Sequence, residues 1–310
     1  MNMKENFLLF SGRSHSSFSA ELSKVLGVPL GNIKIKDFPD GEIGVHISEN
    51  VRGRDVFVVQ SMAKNPNFYL MELLIIVDAL KRASAKNIFA VIPYFCYARQ
   101  DRKNLGREAI TAKLVADLLQ TAGVAGVLTM DLHTDQIEGF FNIPVDHLRS
   151  CLTLAEEIKS KKIQDLVVVA PDVGGLRLGR EFSTELKVDL AVVNKRRLDA
   201  GQVEANALIG CVKEKNVLLV DDVSSTGQTL KKAMLVCKAQ GAKKIYVALA
   251  HGLMIDGLEV MKSFEKVFVT NSVSLKESPH LAIISVAPLF AKAINCMVSG
   301  DSVSSLSKSF

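Results

Sequence analysis

Short, continuous apolar runs recur through both halves of the chain, and most are followed by glycine, proline or a charged residue. The runs are FLLFSG, VFVVQS, NIFAVIPY and GVLTMDLH in the first half, and LVVVAPD, LAVVNK, NVLLVDD, KIYVALAHG and KVFVTNS in the second. They contain many β-branched residues, and their apolarity is continuous rather than alternating. Continuous apolarity predicts strands buried on both faces, as in a parallel sheet covered by helices.

Helical patterns lie between these predicted strands. They cover residues 70–85, 111–122 and 227–240. The second pattern stops at Gly123, a suitable residue just past a helix end. A chain of 310 residues suggests two domains at about 150 residues each. The alternation of strands and helices therefore predicts an α/β protein with two domains, 1–149 and 150–310, each a mainly parallel sheet flanked by helices.

Composition excludes several classes of protein. The chain is 48% apolar and carries a mild formal charge of +5, which is compatible with anionic substrates. It lacks a dense basic run with aromatics, so we expect no nucleic-acid partner. It also lacks an uncharged apolar segment of about 18 residues, so we expect no membrane span. The five cysteines are far apart and form no C-x-x-C pair, which favours free thiols in a cytoplasmic protein.

The segment VLLVDDVSSTGQTL, residues 217–230, carries the clearest chemical pattern. Asp221 and Asp222 end a predicted strand, and SSTGQT forms the turn into a helix. Backbone N–H groups and hydroxyls of such a turn bind a phosphate, and the helix N-terminus adds partial positive charge. Two carboxylates would repel that phosphate but suit sugar hydroxyls or a metal ion. The segment predicts phosphosugar binding, with an ordinary helix cap beside two solvated acids as the alternative.

Other predicted strands end in residues of related chemistry. His133 ends MDLH, Asp172 lies in APDVGG, and VVNKRR ends in three cations. The glycines of PDVGG permit close backbone approach to an anion, and the cations either neutralise a phosphoryl group or form a solvated cluster. Residues 94–108 predict a lid over a polyphosphate or a solvated flap. Because no G-x-x-x-x-G-K-[ST] motif is present, a P-loop cannot hold a nucleotide here.

These motifs together resemble the ribose-phosphate pyrophosphokinase family. The likeness rests on FPDGEI, ENVRGRDVFVVQS, LMELLIIVDALKRASAKNIFAVIPYFCYARQDRK, DLHTDQIEGFFNIPVDHL, PDVGG, NKRR and VDDVSSTGQTL, in that order along almost the whole chain. The resemblance implies two type I phosphoribosyltransferase-like domains and an ATP-dependent, magnesium-dependent transferase of nucleotide biosynthesis. It further implies that ribose 5-phosphate and ATP give phosphoribosyl pyrophosphate and AMP, and that the chain forms a homo-oligomer of dimers within a hexamer.

The resemblance also assigns roles to residues whose motifs match. It implies ATP binding by Asp40, Gly41 and Glu42, supplied by a neighbouring subunit, and by Arg99 and Gln100. It implies magnesium ligation by His133 and Asp172, and catalysis by Lys195 with Arg197. It implies that Asp221 and Asp222 bind the ribose hydroxyls, and that Ser225, Thr226, Gly227, Gln228 and Thr229 bind the 5-phosphate.

The phosphate loop departs from the family pattern, in which Ser225 is usually Asp and Gln228 usually Gly. Gln228 therefore requires a negative φ or some strain. The sequence STGQT also resembles the phosphoribosyltransferase version of the loop, whereas FPDGE, ARQDRK and the chain length oppose that alternative. A non-catalytic regulatory homologue is a further alternative, opposed by the retained Lys195, Arg197, His133 and Asp172.

Overall fold

The computed structural model describes residues 7–196 and 205–307, which fold into two compact units. Within these residues, unit 1 runs to residue 149 and also includes 272–274 and 286–307. Unit 2 contains the described residues of 150–271 together with 275–285. No helix in the described ranges is both long and apolar enough to cross a membrane.

The helices and strands alternate along most of the chain. The strands are β1 (Phe7–Ser11), β2 (Ile33–Asp37), β3 (Ile43–Ile47), β4 (Asp55–Val59), β5 (Asn87–Ile92), β6 (Gly126–Met130), β7 (Val145–Leu148), β8 (Leu166–Ala170), β9 (Leu190–Arg196), β10 (Ala205–Ile209), β11 (Asn216–Ser224), β12 (Ile245–Gly252), β13 (Lys266–Thr270) and β14 (Leu281–Ile284). The α-helices are α1 (Ser16–Leu26), α2 (Pro66–Arg82), α3 (Thr111–Ala122), α4 (Cys151–Ser160), α5 (Leu176–Leu186), α6 (Gln228–Ala239) and α7 (Ala287–Ser299). Short 3₁₀ helices cover Asp135–Phe140, Val260–Ser263 and Val303–Ser307.

Each unit is built on a mainly parallel sheet, which confirms the predicted fold class. Unit 1 has five parallel strands in the order β1-β4-β5-β6-β7. Unit 2 has seven strands in the order β10-β9-β8-β11-β12-β13-β14, and β10 is its antiparallel member. Strands β2 and β3 form a separate antiparallel hairpin in unit 1.

Burial on both faces explains the continuous apolar runs. In β4, Val56 and Val58 pack into one cluster with α2 and α3, while Phe57 and Val59 pack into another with α1 and α7. In β11, Leu218 likewise faces a different cluster from its sequence neighbours. Successive strand residues point to opposite faces of a sheet, so both faces of each sheet are covered. The order of the strands in each sheet then determines which polar residues at the strand ends lie beside one another.

Candidate active site

Asp221 and Asp222 lie where β11 loses one of its two neighbouring strands. Pairing of β11 with β8 runs only to Leu219, whereas its pairing with β12 continues to Ser224. The strand therefore ends two residues later than the sequence predicted, because β12 extends its ladder beyond the acids. On the β8 side the sheet is open beside both carboxylates, which suits a bound ligand.

The carboxylates of Asp172, Asp221 and Asp222 in unit 2 lie close enough together to repel one another. Burial raises the pKa of Asp221 well above its ordinary value, and the negative charges of Asp222 and Asp172 raise it further. The N–H of Asp222 donates to Asp221 Oδ1 at 3.1 Å, and the N–H of Val223 donates to Asp222 Oδ1 at 2.8 Å. Three neighbouring carboxylates favour a cation or several hydroxyl donors, so this donor set fits magnesium or a sugar.

The turn after β11 has a backbone that only glycine accommodates easily. Gly227 lies directly before α6 with φ of 79°, in the left-handed region. A Cβ there would lie 2.6 Å from Met261 Cε and 2.9 Å from Val260 Cγ1. Gln228 is already the first residue of α6 and has no positive φ, so its replacement of the family's glycine costs no backbone strain here.

The same turn is braced from the segment that follows β12. The N–H of Leu253 donates to the Ser224 carbonyl, and the N–H of Ile255 donates to the Ser225 carbonyl, each at 2.9 Å. The first N–H groups of a helix have no intrahelical partner, and in α6 the Gln228 N–H makes a long hydrogen bond of 3.5 Å to Thr226 Oγ1. The turn therefore presents backbone donors and hydroxyls at the positive end of a helix, an arrangement that binds phosphate.

Asp172 and Lys195 lie at the ends of β8, which pairs with β11, and of β9, which lies on the other side of β8. Asp172 follows β8, and its Oδ1 accepts the N–H of Gly175 at 3.1 Å, just before α5 begins. Lys195 is the penultimate residue of β9 and pairs with Asn206 of β10. Arg197 lies outside the described residues. Unit 2 thus gathers Asp172 with the two β11 acids.

In unit 1, the exposed His133 lies in a loop that is fixed by hydrogen bonds of the residues directly before and after it. Leu132 donates its N–H to His147 Nε2 at 2.8 Å. The Thr134 hydroxyl donates to Asp101 Oδ2 at 2.8 Å. Asp101 directly follows Gln100, so this hydrogen bond joins the His133 loop to the segment with the predicted ATP-binding residues.

A cluster of possible metal ligands lies beside the same loop. Ligand atoms of Asp135, Glu138 and His147 lie within 4.8 Å of one another. Because His147 Nε2 accepts the Leu132 N–H, the ring proton must lie on Nδ1, from which it is donated to Glu138 Oε1 at 2.6 Å. Arg149 also donates to Asp135 at 2.7 Å. A protonated Nδ1 and a guanidinium both oppose a cation, so we interpret the cluster as a structural support for the loop.

Arg99 and Gln100 are exposed in the loop between β5 and α3. The Thr111 hydroxyl donates to Gln100 Oε1 at 2.6 Å, and the Ala112 N–H donates to the Gln100 carbonyl at 3.2 Å. These bonds tie Gln100 to the start of α3. Its side-chain oxygen is therefore engaged with the protein, whereas its amide NH₂ group still offers donors to a ligand.

The predicted ATP-binding residues Asp40, Gly41 and Glu42 form the exposed tip of the β2–β3 hairpin. The tip is a tight turn in which Gly41 has φ of 90°. The N–H of Glu42 donates to Asp40 Oδ1 at 3.1 Å, and the N–H of Gly41 donates to the Phe38 carbonyl at 2.9 Å. The acidic side chains are thus presented on an ordered turn rather than a loose loop.

Phe38 is a feature of this tip that the sequence reasoning did not assign. Its side chain is 41% exposed, Lys36 Nζ lies 4.6 Å from its ring centroid, and a Cβ on Gly44 would lie 2.9 Å from its ring. A large exposed aromatic ring held in place is suited to stacking on a purine base. The sequence signal for this stacking role was an aromatic residue at the start of the FPDGE motif.

Comparison with known proteins gives matches along nearly the whole chain. A family described as the N-terminal domain of ribose phosphate pyrophosphokinase matches residues 7–123, and a phosphoribosyl transferase domain matches residues 146–278. Ribose-phosphate pyrophosphokinase of Wolinella succinogenes is 46% identical, over 97% of this chain and 98% of the relative. The protein of the same name from Helicobacter pylori is 45% identical, over 97% and 96% respectively.

A solved structure agrees with these sequence matches. The crystal structure of phosphoribosylpyrophosphate synthetase from Mycobacterium smegmatis superposes with a TM-score of 0.90 and 40% identity. The superposition covers 95% of this chain and 99% of the other. The likeness therefore extends over both units and is not confined to a single domain.

Proposed function

The chain belongs to the ribose-phosphate pyrophosphokinase family, and we propose from this premise that it makes phosphoribosyl pyrophosphate. The anomeric hydroxyl of ribose 5-phosphate attacks the β-phosphorus of ATP, the bond between that phosphorus and the α-phosphate oxygen breaks, and AMP leaves. The full-length identity of 46% to a relative with this name carries the proposal. Phosphoryl transfer of this kind needs positioning and charge neutralisation more than a covalent nucleophile.

Unit 2 supplies the groups for the sugar phosphate. The turn of Ser225, Thr226 and Gly227 with the start of α6 offers donors to the 5-phosphate, and Asp221 and Asp222 accept hydrogen bonds from the ribose hydroxyls. The raised pKa of Asp221 supports this role, because a carboxylate that is costly to ionise gains most from hydroxyl donors or a cation. Lys195, with Arg197, is assigned by the family resemblance to neutralise charge on the reacting phosphate.

Magnesium is the cofactor that the family resemblance implies, with His133 and Asp172 as ligands. The neighbouring carboxylates of Asp172, Asp221 and Asp222 supply the oxygen donors that a hard divalent cation prefers. When bound, the ion would spread and neutralise polyphosphate charge. The hydrogen bonds donated by the Leu132 N–H and the Thr134 hydroxyl hold the backbone on either side of His133 in place for this role.

Unit 1 supplies the groups proposed for the nucleotide. Arg99 and Gln100 lie on a loop fixed to α3, and the hairpin tip offers carboxylates beside the exposed ring of Phe38. On the resemblance, the tip serves the ATP site of a neighbouring copy, so the active form is a homo-oligomer of dimers within a hexamer. Full activity from a demonstrable monomer in light scattering would contradict this assembly.

A nucleotide assay tests the proposed reaction against its alternatives. The chain is mixed with ATP, ribose 5-phosphate and magnesium, and the nucleotides are separated by chromatography. We expect AMP, formed only when the sugar phosphate is present. ADP would instead indicate transfer of the γ-phosphoryl group, and unchanged ATP would indicate a non-catalytic homologue. Consumption of phosphoribosyl pyrophosphate with a free base would indicate a phosphoribosyltransferase, which the match of the N-terminal family over residues 7–123 does not favour.

A further inference from the structure

Arg13, in the loop between β1 and α1, lies between two carboxylates from distant parts of unit 1. Its Nε donates to Glu72 Oε2 at 2.6 Å. Its two terminal nitrogens donate to the two carboxylate oxygens of Asp37, at 2.9 and 2.7 Å. The guanidinium carbon also lies 5.1 Å from the ring centroid of Phe68, one turn before Glu72 on α2. One side chain therefore joins α2 to the end of β2.

The α2 end of this contact is rigid. Glu72 is fully buried, and its Oε1 accepts the backbone N–H of Arg13 at 2.7 Å and the amide of Gln60 at 2.9 Å. A buried carboxylate that is paired and fully hydrogen-bonded has a defined orientation. Hydrogen bonds to Asp37 and Glu72 together raise the pKa of Arg13, so the guanidinium stays charged. Arg13 is thus fixed relative to α2.

The other end of the contact reaches the base of the hairpin tip. Asp37 is the last residue of β2, pairs with Ile43 across the hairpin, and directly precedes Phe38. Its hydrogen bonds from Arg13 lower its pKa, which keeps it ionised and paired. The apolar side chains that pack the hairpin onto the core lie along its two strands: Ile33, Ile35, Val45 and Ile47. The contact with Arg13 lies at the tip end of this packed face.

We propose that Arg13 is a positioning residue that clamps the hairpin tip to α2 and so sets the place from which Asp40 and Glu42 meet ATP. This role rests on the proposed function. A bidentate arginine–carboxylate pair fixes orientation as well as distance, which a single hydrogen bond or a lysine does not. In this role Arg13 makes no contact with the reacting atoms. It acts through the hairpin, and its loss therefore changes nucleotide binding and leaves sugar-phosphate binding intact.

Asp37→Asn is the most informative variant, because it removes the tip end of the clamp and keeps the buried Arg13–Glu72 contact. Asp78→Asn is its matched control. Asp78 lies on α2, accepts a hydrogen bond from Arg82 at the same distance of 2.7 Å, and is 51% exposed, against 50% for Asp37. Both variants remove one negative charge from a surface ion pair. Only the first releases the hairpin.

We expect Asp37→Asn to raise the KM for ATP roughly tenfold, the size of a lost charged hydrogen bond, with an unchanged KM for ribose 5-phosphate. The direction of the change in the KM for ATP identifies its cause. Removal of a negative charge by itself favours a polyanionic substrate, so a weaker affinity for ATP must come from the position of the tip. Asp78→Asn should leave both KM values unchanged.

A double-mutant cycle adds a second, independent readout. Arg13→Met keeps an apolar stem beside Phe68 and removes both charged contacts. If Arg13 and Asp37 act as one clamp, the double variant should have the same KM for ATP as Arg13→Met alone. A thermal melt of each variant separates this effect from general instability, since loss of folded protein lowers the apparent kcat and leaves both KM values in place.

The outcomes separate this inference from the proposed function. A wild-type chain that forms AMP, with Asp37→Asn and Asp78→Asn alike in their KM for ATP, overturns the clamp and leaves the function intact. A lower KM for ATP in Asp37→Asn, or an equal rise for both substrates, also overturns the clamp. A folded wild-type chain that forms no AMP overturns the proposed function and this role with it.

Discussion

Gly227→Ala probes the phosphate turn where its geometry is most restrictive. The substitution puts a Cβ on a residue with φ of 79°, which costs about 1–2 kcal/mol for an L-residue. The new atom would lie 2.6 Å from Met261 Cε and 2.9 Å from Val260 Cγ1. Met261 can move its flexible end, but the β-branched Val260 is stiff, so overlap adds about 1–3 kcal/mol. We expect a total loss of stability of about 2–5 kcal/mol.

Gly241→Ala is the matched control, at the other end of α6. Gly241 has nearly the same φ, 83°, but its nearest neighbour, Lys213 Cγ, would lie at an ordinary contact distance of 3.4 Å from the added Cβ. This variant should lose only the backbone cost of about 1–2 kcal/mol. The difference between the two melting temperatures isolates the overlap, since 1 kcal/mol corresponds to about 2–4 °C in a chain of this size.

The same overlap should impair binding of the sugar phosphate. Relief of a 2.6 Å contact requires a shift of about 1 Å to reach van der Waals distance, and misplacement of that size costs roughly a hundredfold in kcat/KM. We expect this loss for ribose 5-phosphate titrated at saturating ATP, with little change in the KM for ATP. If Gly227→Ala matched Gly241→Ala in both stability and sugar-phosphate kinetics, the structural requirement for glycine in this turn would be refuted.

Three further predictions concern other residues of unit 2. The folded state raises the pKa of Asp221, so the free energy of unfolding falls as the pH rises from the pKa of Asp221 in the unfolded chain through its pKa in the folded chain. Asp221→Asn removes this cost, and the variant should therefore melt at a higher temperature than the wild type at pH 7. It should also lose activity. Thr229→Ala should weaken ribose 5-phosphate binding by roughly tenfold to a hundredfold, the value of a hydrogen bond to a charged group, and calorimetry with each substrate separately should find ATP binding unchanged. Lys195→Ala should lower kcat by roughly a hundredfold or more with small changes in KM, measured by AMP release under saturating substrates.

Strands buried on both faces could be predicted from sequence, whereas other strands could not. The nine continuous apolar runs all became strands of the two parallel sheets. The hairpin strands IKIKD and IGVHI instead alternate polar and apolar residues, since only one side of the hairpin packs on the core. The short β7 and β14 and the antiparallel β10 lie at sheet edges, where burial is weaker and the apolar signal is lost.

The chemistry at the strand ends was predictable because parallel strands end at one edge of a sheet, so that Asp172 and the β11 acids come together. The supporting contacts were not predictable in the same way. Arg13 and Glu72 are 59 residues apart, and Leu132 meets His147 across 15 residues. Such pairs have no fixed sequence spacing, since tertiary folding brings them together. The extension of β11 to Ser224 likewise depends on its pairing with β12.

The position of an ¹⁸O label in the phosphoribosyl pyrophosphate that is formed tests the proposed reaction most directly. Ribose 5-phosphate labelled with ¹⁸O at its anomeric hydroxyl is converted with ATP, and the products are analysed by mass spectrometry and ³¹P NMR. If the sugar hydroxyl attacks the β-phosphorus, the label stays in phosphoribosyl pyrophosphate, in the bridge between C1 and the β-phosphorus, and AMP is unlabelled. Unlabelled phosphoribosyl pyrophosphate, formed from sugar phosphate that still carries its label, would contradict attack by the sugar oxygen and with it the function proposed for this chain.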